Sequence, residues 1–533
     1  MMKNHLPSLA RLSLLIMLFV VACGPVGDES PAAETPEDIT PEMEETADSE
    51  PMTTSSEPII APAAEPLTPP TPLPPLPEGN PLPDDLATEM MYNLISSEQN
   101  NADETIQTII ETGDTRFIAV FIELMRARQI RIIRGSNSSY LNALESLSGQ
   151  SFGDDWPAWI EWYGRTDLEP PPGFTGWKGT ILSRIDPGFG DFLSDEHPTR
   201  LRVEEIQWGG VGIDGIPPLD QAPMIPAAEA DYLLPNEPVF GLEINGDARA
   251  YPLRIVDNHE MANDVVGGLP VSLAYCTLCG AAIAFDGRAP NGDTYDFGTS
   301  GFLYRSNKLM YDRPTRTLWN QLTGEPVLGE LAADEDLRLN IFPIVLSAWE
   351  DWLAQHPDTL VLDRDTGLYP ADFYEPGILY GDYFQSGETM FPVWQRSELL
   401  ADKDFVYTLY LNGVPKAYDV RRLAEEQVVN DMLGETAVVL VATQGTVTIE
   451  GNNRRVGPVT YTNGGEVRAY DRGGHLFTPG PDPYTVLDEN GREWQVTEEG
   501  LLGPDDATAP RLSGHLAYWF GWYAFFPETL LYK

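Results

Sequence analysis

Cysteine and lysine are both scarce in this chain of 533 residues, which contains three cysteines and six lysines. Three cysteines are too few for a disulfide scaffold. The 33 basic residues are outnumbered by 82 acidic ones. The resulting net charge of −49 argues against nucleic-acid binding, which needs a basic surface to displace counterions from phosphates. Beyond the N-terminal region no apolar run is long enough to span a membrane, so any function must come from a local site.

The first 22 residues predict an export signal. Lys3 and Arg11 precede a run from Leu12 to Val21 that is almost entirely apolar. The following Val20-Val21-Ala22-Cys23 resembles a bacterial lipobox, in which the cysteine is lipidated and becomes the new N-terminus. We therefore expect an extracytoplasmic protein anchored to the cell membrane through a lipid on Cys23. An ordinary secretory signal followed by a buried cysteine is the alternative.

Composition and hydrophobic spacing divide the rest of the chain into a tether, a helical module and a larger β-rich region. The tether is acidic and rich in proline, so we expect it to be disordered. Apolar residues at three- and four-residue spacing predict helices in the module. The predicted boundaries are 1–22 for the signal peptide, 23–84 for the tether, 85–165 for the helical module, 166–236 for an irregular connecting segment, 237–366 for a first repeat, 367–403 for a connector and 404–533 for a second repeat.

Residues 237–533 contain two similar halves at an offset of 167 residues. Asn245-Gly246 and Ala250-Tyr251 in the first half correspond to Asn412-Gly413 and Ala417-Tyr418 in the second. Each Asn-Gly pair lies between alternating apolar runs and predicts a β-hairpin. Each half should also close with a helix that bears tryptophans. The predicted fold class is α+β, a small helical module followed by a tandem-duplicated, mostly β domain.

Four side chains of the first half that could bind a soft metal have no such counterpart at the matching positions of the second half. Residues shared by both halves are expected to serve the scaffold, whereas residues present in one half only are free to carry chemistry. The candidates with their counterparts in the second half are His259 with Glu426, Cys276 with Thr443, Cys279 with Thr446, and Met310 with approximately Val486.

The most specific local motif is Cys276-Thr277-Leu278-Cys279-Gly280, between the apolar runs Val271–Tyr275 and Ala281–Phe285. A strand, a CxxCG turn and a second strand are typical of a metal knuckle, where glycine permits a positive φ. A thioredoxin-type CxxC instead opens a helix, and a short helix after Gly280 remains an alternative. Together with His259 and Met310, two thiolates would form a soft ligand set that suits copper(I) better than zinc.

Three functions remain open at this stage. The first is transition-metal binding, copper before zinc, by Cys276, Cys279, His259 and Met310. The second is thiol–disulfide exchange, in which Cys276 attacks and Cys279 resolves the mixed disulfide. The third is a binding or scaffold protein of the envelope with structural cysteines. Beyond the membrane, the expected partner is an unidentified envelope protein or a metal donor.

No nucleotide cofactor is expected. The letters Gly210-Val211-Gly212-Ile213-Asp214-Gly215 match a dinucleotide-binding fingerprint. That fingerprint requires a helix immediately afterwards, and Pro217-Pro218 prevents one.

Several motifs together resemble the bacterial family catalogued as domain of unknown function 3179, over about residues 200–533. They are Asn258-His259-Glu260, Asn263-Asp264, Tyr275-Cys276-Thr277-Leu278-Cys279-Gly280, Gly298-Thr299-Ser300-Gly301, Met310-Tyr311-Asp312-Arg313 and Leu318-Trp319-Asn320-Gln321. The family has no established activity. Some relatives carry selenocysteine in the cysteine motif, so the resemblance implies redox chemistry or soft-metal binding over a purely structural role. The family's usual proline after the first cysteine is Thr277 here.

Overall fold

The computed structural model describes residues 57–63, 65, 67, 73–96 and 99–533, without the side chains of 99–101. The predicted signal peptide, the lipidation site Cys23 and the tether up to residue 56 lie outside the described residues. Within the described part of the chain, no helix combines the length and the apolar character that crossing a bilayer requires.

The end of the predicted tether is ordered, which corrects the expectation of disorder over the whole of residues 23–84. Ile59–Ile60 forms a short strand, β1. Leu73, Leu76 and Leu82 pack against the apolar core of the helical module. The reason is that leucines spaced among the prolines give this segment apolar side chains to bury, which its average composition conceals.

The helical module is built around a single apolar core. Phe121, Trp159 and Trp177 are fully buried in it. Two helices, α6 and α7, lie in segment 166–236, which was predicted to be irregular. The helices are α1 (Asp84–Asn93), α2 (Gln99–Thr112), α3 (Phe117–Gln129), α4 (Ser138–Ser148), α5 (Trp156–Tyr163), α6 (Phe174–Leu182) and α7 (Phe189–Phe192).

Tertiary packing explains the unexpected helix α6. Its sequence includes Gly176 and Gly179, each of which lowers helix propensity. The Trp177 side chain is buried, and its Nε1 donates a hydrogen bond to the Met91 carbonyl oxygen at 2.8 Å. Contacts with α1 therefore stabilise a helix that local preferences disfavour.

The first half of the β-rich region consists of short strands with two small helices. Its elements are β2 (Ile206–Trp208), β3 (Leu219–Asp220), β4 (Met224–Pro226), β5 (Pro238–Ile244), β6 (Asp247–Pro252), α8 (Leu253–Val256), β7 (Met261–Val266), β8 (Leu269–Cys276), β9 (Ala281–Asp286), β10 (Phe297–Tyr304), β11 (Asn307–Asp312), β12 (Leu318–Asn320), β13 (Pro326–Leu328), β14 (Ile341–Phe342), β15 (Val345–Ala348), α9 (Trp349–Gln355) and β16 (Leu360–Leu362).

The second half follows a connector that contains the short helix α10 (Gly381–Gln385). Its elements are β17 (Phe405–Leu411), β18 (Val414–Asp419), α11 (Val420–Glu426), β19 (Val428–Leu433), β20 (Thr436–Gln444), β21 (Thr448–Asn453), β22 (Gly457–Thr462), β23 (Glu466–Asp471), β24 (Thr478–Pro479), β25 (Thr485–Leu487), β26 (Glu493–Val496), β27 (Gly500–Leu502), β28 (Thr508–Leu512), β29 (His515–Tyr518), α12 (Trp519–Tyr523) and β30 (Leu530–Tyr532).

The strands of the two halves are arranged in the same order. The order β15-β5-β6-β16 in the first half corresponds to β29-β17-β18-β30 in the second. Likewise, β3-β7-β8-β9-β14 corresponds to β1-β19-β20-β23-β28. The predicted hairpins at Asn245-Gly246 and Asn412-Gly413 are confirmed, with positive φ at all four residues. The tryptophan-bearing helices are α9 and α12, so the chain is a mixed α+β protein that is mostly β.

The two halves share an apolar core. Leu273 on β8 and Leu440 on β20 are both fully buried in the same cluster of side chains. A second cluster brings Cys276 and Cys279 of the first half together with Trp519 of the second. The cysteine motif therefore lies where elements of both halves meet.

Candidate functional site

The cysteine motif forms a tight turn between two strands. Cys276 is the last residue of β8, and β9 begins at Ala281. The Cys279 amide donates to the Cys276 carbonyl oxygen at 3.1 Å, and Gly280 has a φ of +62°. The predicted strand, CxxCG turn and strand are confirmed, and no helix follows the motif. Both cysteines are free thiols, with side chains 2% and 0% exposed.

The two sulfur atoms lie close together in different surroundings. Their separation is 3.1 Å, and Cys279 Sγ donates to the Ser306 carbonyl oxygen, also at 3.1 Å. Burial alone would raise the pKa of Cys276, but the neighbouring Cys279 side chain and the backbone amides of Lys308 and Cys279 lower it below its usual value. Burial and the bond to Cys276 raise the pKa of Cys279. Of the two thiols, Cys276 is therefore the one that loses its proton more readily.

The Ser306 carbonyl belongs to a strained hairpin turn. Arg305 and Ser306 connect β10 to β11 with φ values of +50° and +62°. Such a turn favours Asn and Gly, because a positive φ is a costly conformation for larger residues. The Arg305 guanidinium holds the turn by donating to Glu205 at 2.6 Å and to the Ala524 carbonyl at 2.8 Å. Sequence reasoning missed this turn because neither residue is a typical turn former.

Two buried amide side chains connect β11 and β12 to the cysteine turn. Gln321 Nε2 donates to the carbonyls of Ala274 and Ala281, on the two strands that flank the motif, at 3.0 and 3.2 Å. Its Oε1 accepts from Asn307 Nδ2 at 2.7 Å, and the same Nδ2 lies 3.6 Å from Cys279 Sγ. Because carbonyls can only accept, the Gln321 orientation is fixed, and Asn307 must present N–H to the sulfur.

A buried ion pair lies beside Cys276. Lys308 Nζ donates to the Glu260 carbonyl at 2.9 Å and lies 3.4 Å from its carboxylate. Burial lowers the pKa of Lys308, while Glu260 acts in the opposite direction. Glu260 has a φ of +58°, and its counterpart Gln427 has +63°, so this backbone conformation belongs to the scaffold of both halves. The Glu260 carboxylate is specific to the half with the cysteines.

His259 is placed where it has no free nitrogen for a metal. Nδ1 lies 2.7 Å from the Pro217 carbonyl oxygen and therefore carries a hydrogen, while Nε2 accepts from the Tyr374 hydroxyl at 2.6 Å. Among the described residues, one group of His, Cys, Asp and Glu side chains brings three ligand atoms within 4.8 Å of one another: His475, Asp488 and Glu489. The cysteines and His259 are thus not assembled as a ligand set.

Met310 lies in the same apolar cluster as both cysteines and is fully buried on β11. The cluster of His475, Asp488 and Glu489 is not a good metal site either. Asp488 accepts hydrogen bonds from Arg492 Nε at 2.8 Å and from Trp494 Nε1 at 3.2 Å, so its lone pairs are already used. Of the four predicted ligands, the structure brings together the two cysteines, with Met310 in the surrounding core.

We expect the neutral His259 ring to make stability depend on pH. Burial lowers its pKa from 6.5 to about 4. The unfolded chain therefore binds more protons between these values, and the free energy of unfolding falls as the pH drops from 6.5 to 4, by about 3 kcal/mol for this residue. His515, whose pKa burial also lowers to about 4, adds a similar dependence. His259→Gln keeps one donor and one acceptor at this position, and urea denaturation at several pH values should show a smaller loss of stability between pH 6.5 and 4 than in the parent. An unchanged loss would contradict this assignment.

Elements from the connector and from the second half cover the cysteines. The Tyr383 hydroxyl donates to the Leu278 carbonyl at 2.6 Å, and Ser306 Oγ donates to the Pro392 carbonyl at 2.8 Å. From the second half, the Tyr518 amide donates to the Cys279 carbonyl at 2.7 Å. The motif is consequently shielded from solvent by residues that are distant in sequence.

Gly521 on α12 lies directly against Cys279. A methyl group at this position would come within 3.1 Å of Cys279 Cβ and 3.4 Å of its sulfur. We expect Gly521→Ala to destabilise the protein by about 1–3 kcal/mol, because the surrounding side chains leave no room for the extra carbon. Denaturant unfolding measures the effect. Gly474→Ala, which meets no atom within 4 Å, is the matched control and should change stability by less than about 0.5 kcal/mol. Equal effects of the two substitutions would show that the contact is loose.

The corresponding position in the second half is occupied by a charge network and a hairpin. Thr443, the counterpart of Cys276, accepts from Arg468 Nη1 at 3.1 Å. The hairpin β21–β22 then replaces the short cysteine turn between β20 and β23. Asn453 on this hairpin donates to the Gly377 carbonyl at 3.1 Å and to Asp382 Oδ1 at 3.0 Å. The second half thus holds the connector that covers the cysteines of the first.

Comparison with known proteins gives one match. The model of a family described as "Protein of unknown function (DUF3179)" matches residues 213–529, which include the cysteine motif and both halves. The match covers more than half of the chain. No curated protein and no solved structure matches the sequence.

Proposed function

This chain belongs to the DUF3179 family, and we propose that it is a thiol–disulfide oxidoreductase whose redox pair is Cys276 and Cys279. The observation that carries the proposal is the asymmetry around two sulfurs 3.1 Å apart. The backbone amides of Lys308 and Cys279 lower the pKa of Cys276, whereas the Ser306 carbonyl accepts the hydrogen of the Cys279 thiol. A nucleophilic thiolate next to a protonated resolving thiol is the arrangement that exchange requires.

The chemistry follows from this arrangement. The Cys276 thiolate attacks one sulfur of a partner's disulfide and forms a mixed disulfide, and the partner's other sulfur leaves as a thiolate. Cys279 then transfers its proton to that thiolate and attacks Cys276 Sγ, which releases the partner's second sulfur as a thiolate. The partner's disulfide has been reduced by two electrons, and the Cys276–Cys279 pair has been oxidised to a disulfide.

Asn307 contributes to the second step. Its N–H points at Cys279 Sγ and stabilises negative charge when this cysteine loses its proton. Gln321 keeps the amide in this orientation, because its own Nε2 is bound to two carbonyls. Asn307 acts through the sulfur of Cys279, and Gln321 acts through Asn307, so both are positioning residues.

Access to Cys276 and Cys279 requires movement of the connector that covers them. Cys276 is 2% exposed, so a partner's disulfide cannot reach its sulfur in the arrangement described. The connector, residues 367–403, is mostly irregular and is linked to the motif region by hydrogen bonds from Tyr383 and Ser306. Docking of a partner would displace it, and the burial protects the reduced pair from adventitious oxidants until then.

Soft-metal binding is the second candidate, with copper before zinc. It is favoured by the pair of thiols and by Met310 in the same apolar cluster. A full zinc site needs four ligands, and the His259 nitrogens are engaged elsewhere. Copper(I) bound by Cys276 and Cys279, with Met310 as a further soft ligand, needs less rearrangement.

We further infer that the two halves arose by tandem duplication, which their identical strand order supports. Lipidation at Cys23 would place the protein outside the cytoplasm at the membrane surface. An envelope protein with a disulfide is then the expected partner. If the cysteines proved inert, a scaffold role in the envelope would remain.

The mature chain with Cys23→Ser, purified anaerobically, tests the two candidates together. It contains the two site cysteines alone, so thiol chemistry reports on them directly. We expect stoichiometric reduction of a small aromatic disulfide and less than one equivalent of copper or zinc by elemental analysis. One equivalent of copper that blocks this exchange would favour the metal site. Absence of both exchange and metal would leave the structural role.

A further inference from the structure

Two short strands from different parts of the chain dock on the two halves in the same way. In the first half β3 pairs in parallel with β7, with Leu219 opposite Ala262. In the second half β1 pairs in parallel with β19, with Ile59 opposite Val429. Ala262 and Val429 are related by the offset of 167 residues that relates the halves, so the two registers are identical.

The hydrogen bonds at the two docking positions also correspond. The Gln221 amide donates to the Asn263 carbonyl at 2.9 Å, and the Ala61 amide donates to the Asn430 carbonyl at 2.8 Å. The side-chain amide of each asparagine binds the docked strand as well. Asn263 Nδ2 donates to Asp220 Oδ1 at 2.8 Å, and Asn430 Nδ2 donates to the Ile59 carbonyl at 3.1 Å.

The docked segments have related sequences and bury equivalent side chains. Pro58-Ile59-Ile60-Ala61-Pro62 and Pro218-Leu219-Asp220-Gln221-Ala222-Pro223 both begin with proline and an apolar residue and end with alanine and proline. Leu219 belongs to the apolar core that the halves share, and Ile59 packs against it. Ile60, by contrast, is 60% exposed.

In the second half, the docked strand does not come from the position that corresponds to β3. The same offset from Leu219 leads to Ser386, in the connector just after α10. There the Ser386 carbonyl accepts from Lys403 Nζ at 2.8 Å, and the neighbouring segment lies over the cysteine turn. Ile59–Ile60, from the N-terminal side of the helical module, pairs with the edge of β19 instead.

We propose that the edge of β19 at Val429–Asn430 is a strand-docking site whose occupant is the chain's own segment Pro58–Pro62. Docking closes an edge that would otherwise expose unpaired backbone groups to other chains. It also frees the connector to cover Cys276 and Cys279. Residues Pro58–Pro62, at the end of the predicted tether, are therefore a structural part of the second half.

Hydrogen exchange on the mature chain with Cys23→Ser tests the proposal. Ile59→Asp places a charge against the shared core, and Ile60→Asp places the same charge in solvent on the same strand. We expect segment 57–63 to be protected in the parent and in Ile60→Asp, and to exchange roughly tenfold faster or more in Ile59→Asp. Ala61→Pro, which removes the N–H donated to Asn430, should release the segment without adding a charge. Near-ultraviolet circular dichroism should show that the variants remain folded.

Each remaining outcome would overturn the proposal. Exchange of segment 57–63 in the parent as fast as in an unstructured peptide would mean that no docking occurs in solution. Equal exchange in Ile59→Asp and Ile60→Asp would mean that packing of the Ile59 side chain does not hold the strand. Protection that appears only as the protein dimerises, measured by light scattering, would assign the site to the segment of a second copy.

Discussion

Cys276→Ser should abolish reduction of a disulfide substrate, lowering the rate by roughly a thousandfold or more, because the thiolate that starts the exchange is lost. Cys279→Ser should have a different effect. The first attack can still occur, but no thiol remains to resolve the product. The mixed disulfide between Cys276 and the substrate should therefore accumulate and be visible by mass spectrometry of the intact protein. Both changes are isosteric, so folding should be retained.

The asymmetry between the two variants is what distinguishes exchange from other roles. Met310→Leu preserves volume in the same core, so it serves as the matched control and should leave the exchange rate within about twofold. If copper binding were the function, Met310→Leu would weaken it while both serine variants abolished it. Identical trapping by Cys276→Ser and Cys279→Ser would contradict the assignment of Cys276 as the attacking residue.

Arg468→Leu should destabilise the protein by about 3–5 kcal/mol, the second large effect that the structure predicts. The Arg468 side chain is fully buried between two carboxylates, with Nη1 2.5 Å from Glu466 and Nε 2.6 Å from Glu498. Its removal would leave both carboxylates buried with too few partners. This network occupies the position where the first half has its cysteines, so disruption should affect stability and leave the chemistry of the folded protein unchanged.

Two companion variants separate loss of charge balance from loss of packing. Arg468→Leu combined with Glu466→Gln and Glu498→Gln removes the unpaired charges and should recover part of the stability. Arg455→Leu removes an exposed guanidinium from its partner Asp382 and should cost less than about 1 kcal/mol. Urea unfolding measures all three. A loss below 1 kcal/mol for Arg468→Leu would show that the network is replaceable.

Local rules explain which parts of the fold could be predicted. Asn-Gly between alternating apolar runs specifies a hairpin because both residues tolerate positive φ, and both predicted hairpins formed. The turn at Cys276–Gly280 was predictable for the same reason, since Gly280 follows the second cysteine with a φ of +62°. Comparison of the two halves also identified residues that are specific to one of them.

Long-range contacts explain what sequence reasoning missed. His259 has the polar neighbours of a ligand, yet its ring is bound by Pro217 and by Tyr374 in the connector. Asn307 and Lys308 reach the cysteines through the pairing of β10 with β11, and no motif marks them. The docking of Ile59 on β19 joins residues about 370 positions apart, which no local pattern reveals.

The measurement that tests the central claim most directly is a redox titration of the Cys276–Cys279 pair. The mature chain with Cys23→Ser is equilibrated in thiol–disulfide buffers, the free thiols are alkylated, and the masses of the intact protein are read. We predict one reversible two-electron transition between dithiol and disulfide, at a potential above about −300 mV, the range of exchanging pairs. A pair that forms no disulfide at any buffer potential, or one that is reduced only after unfolding, would contradict the redox function.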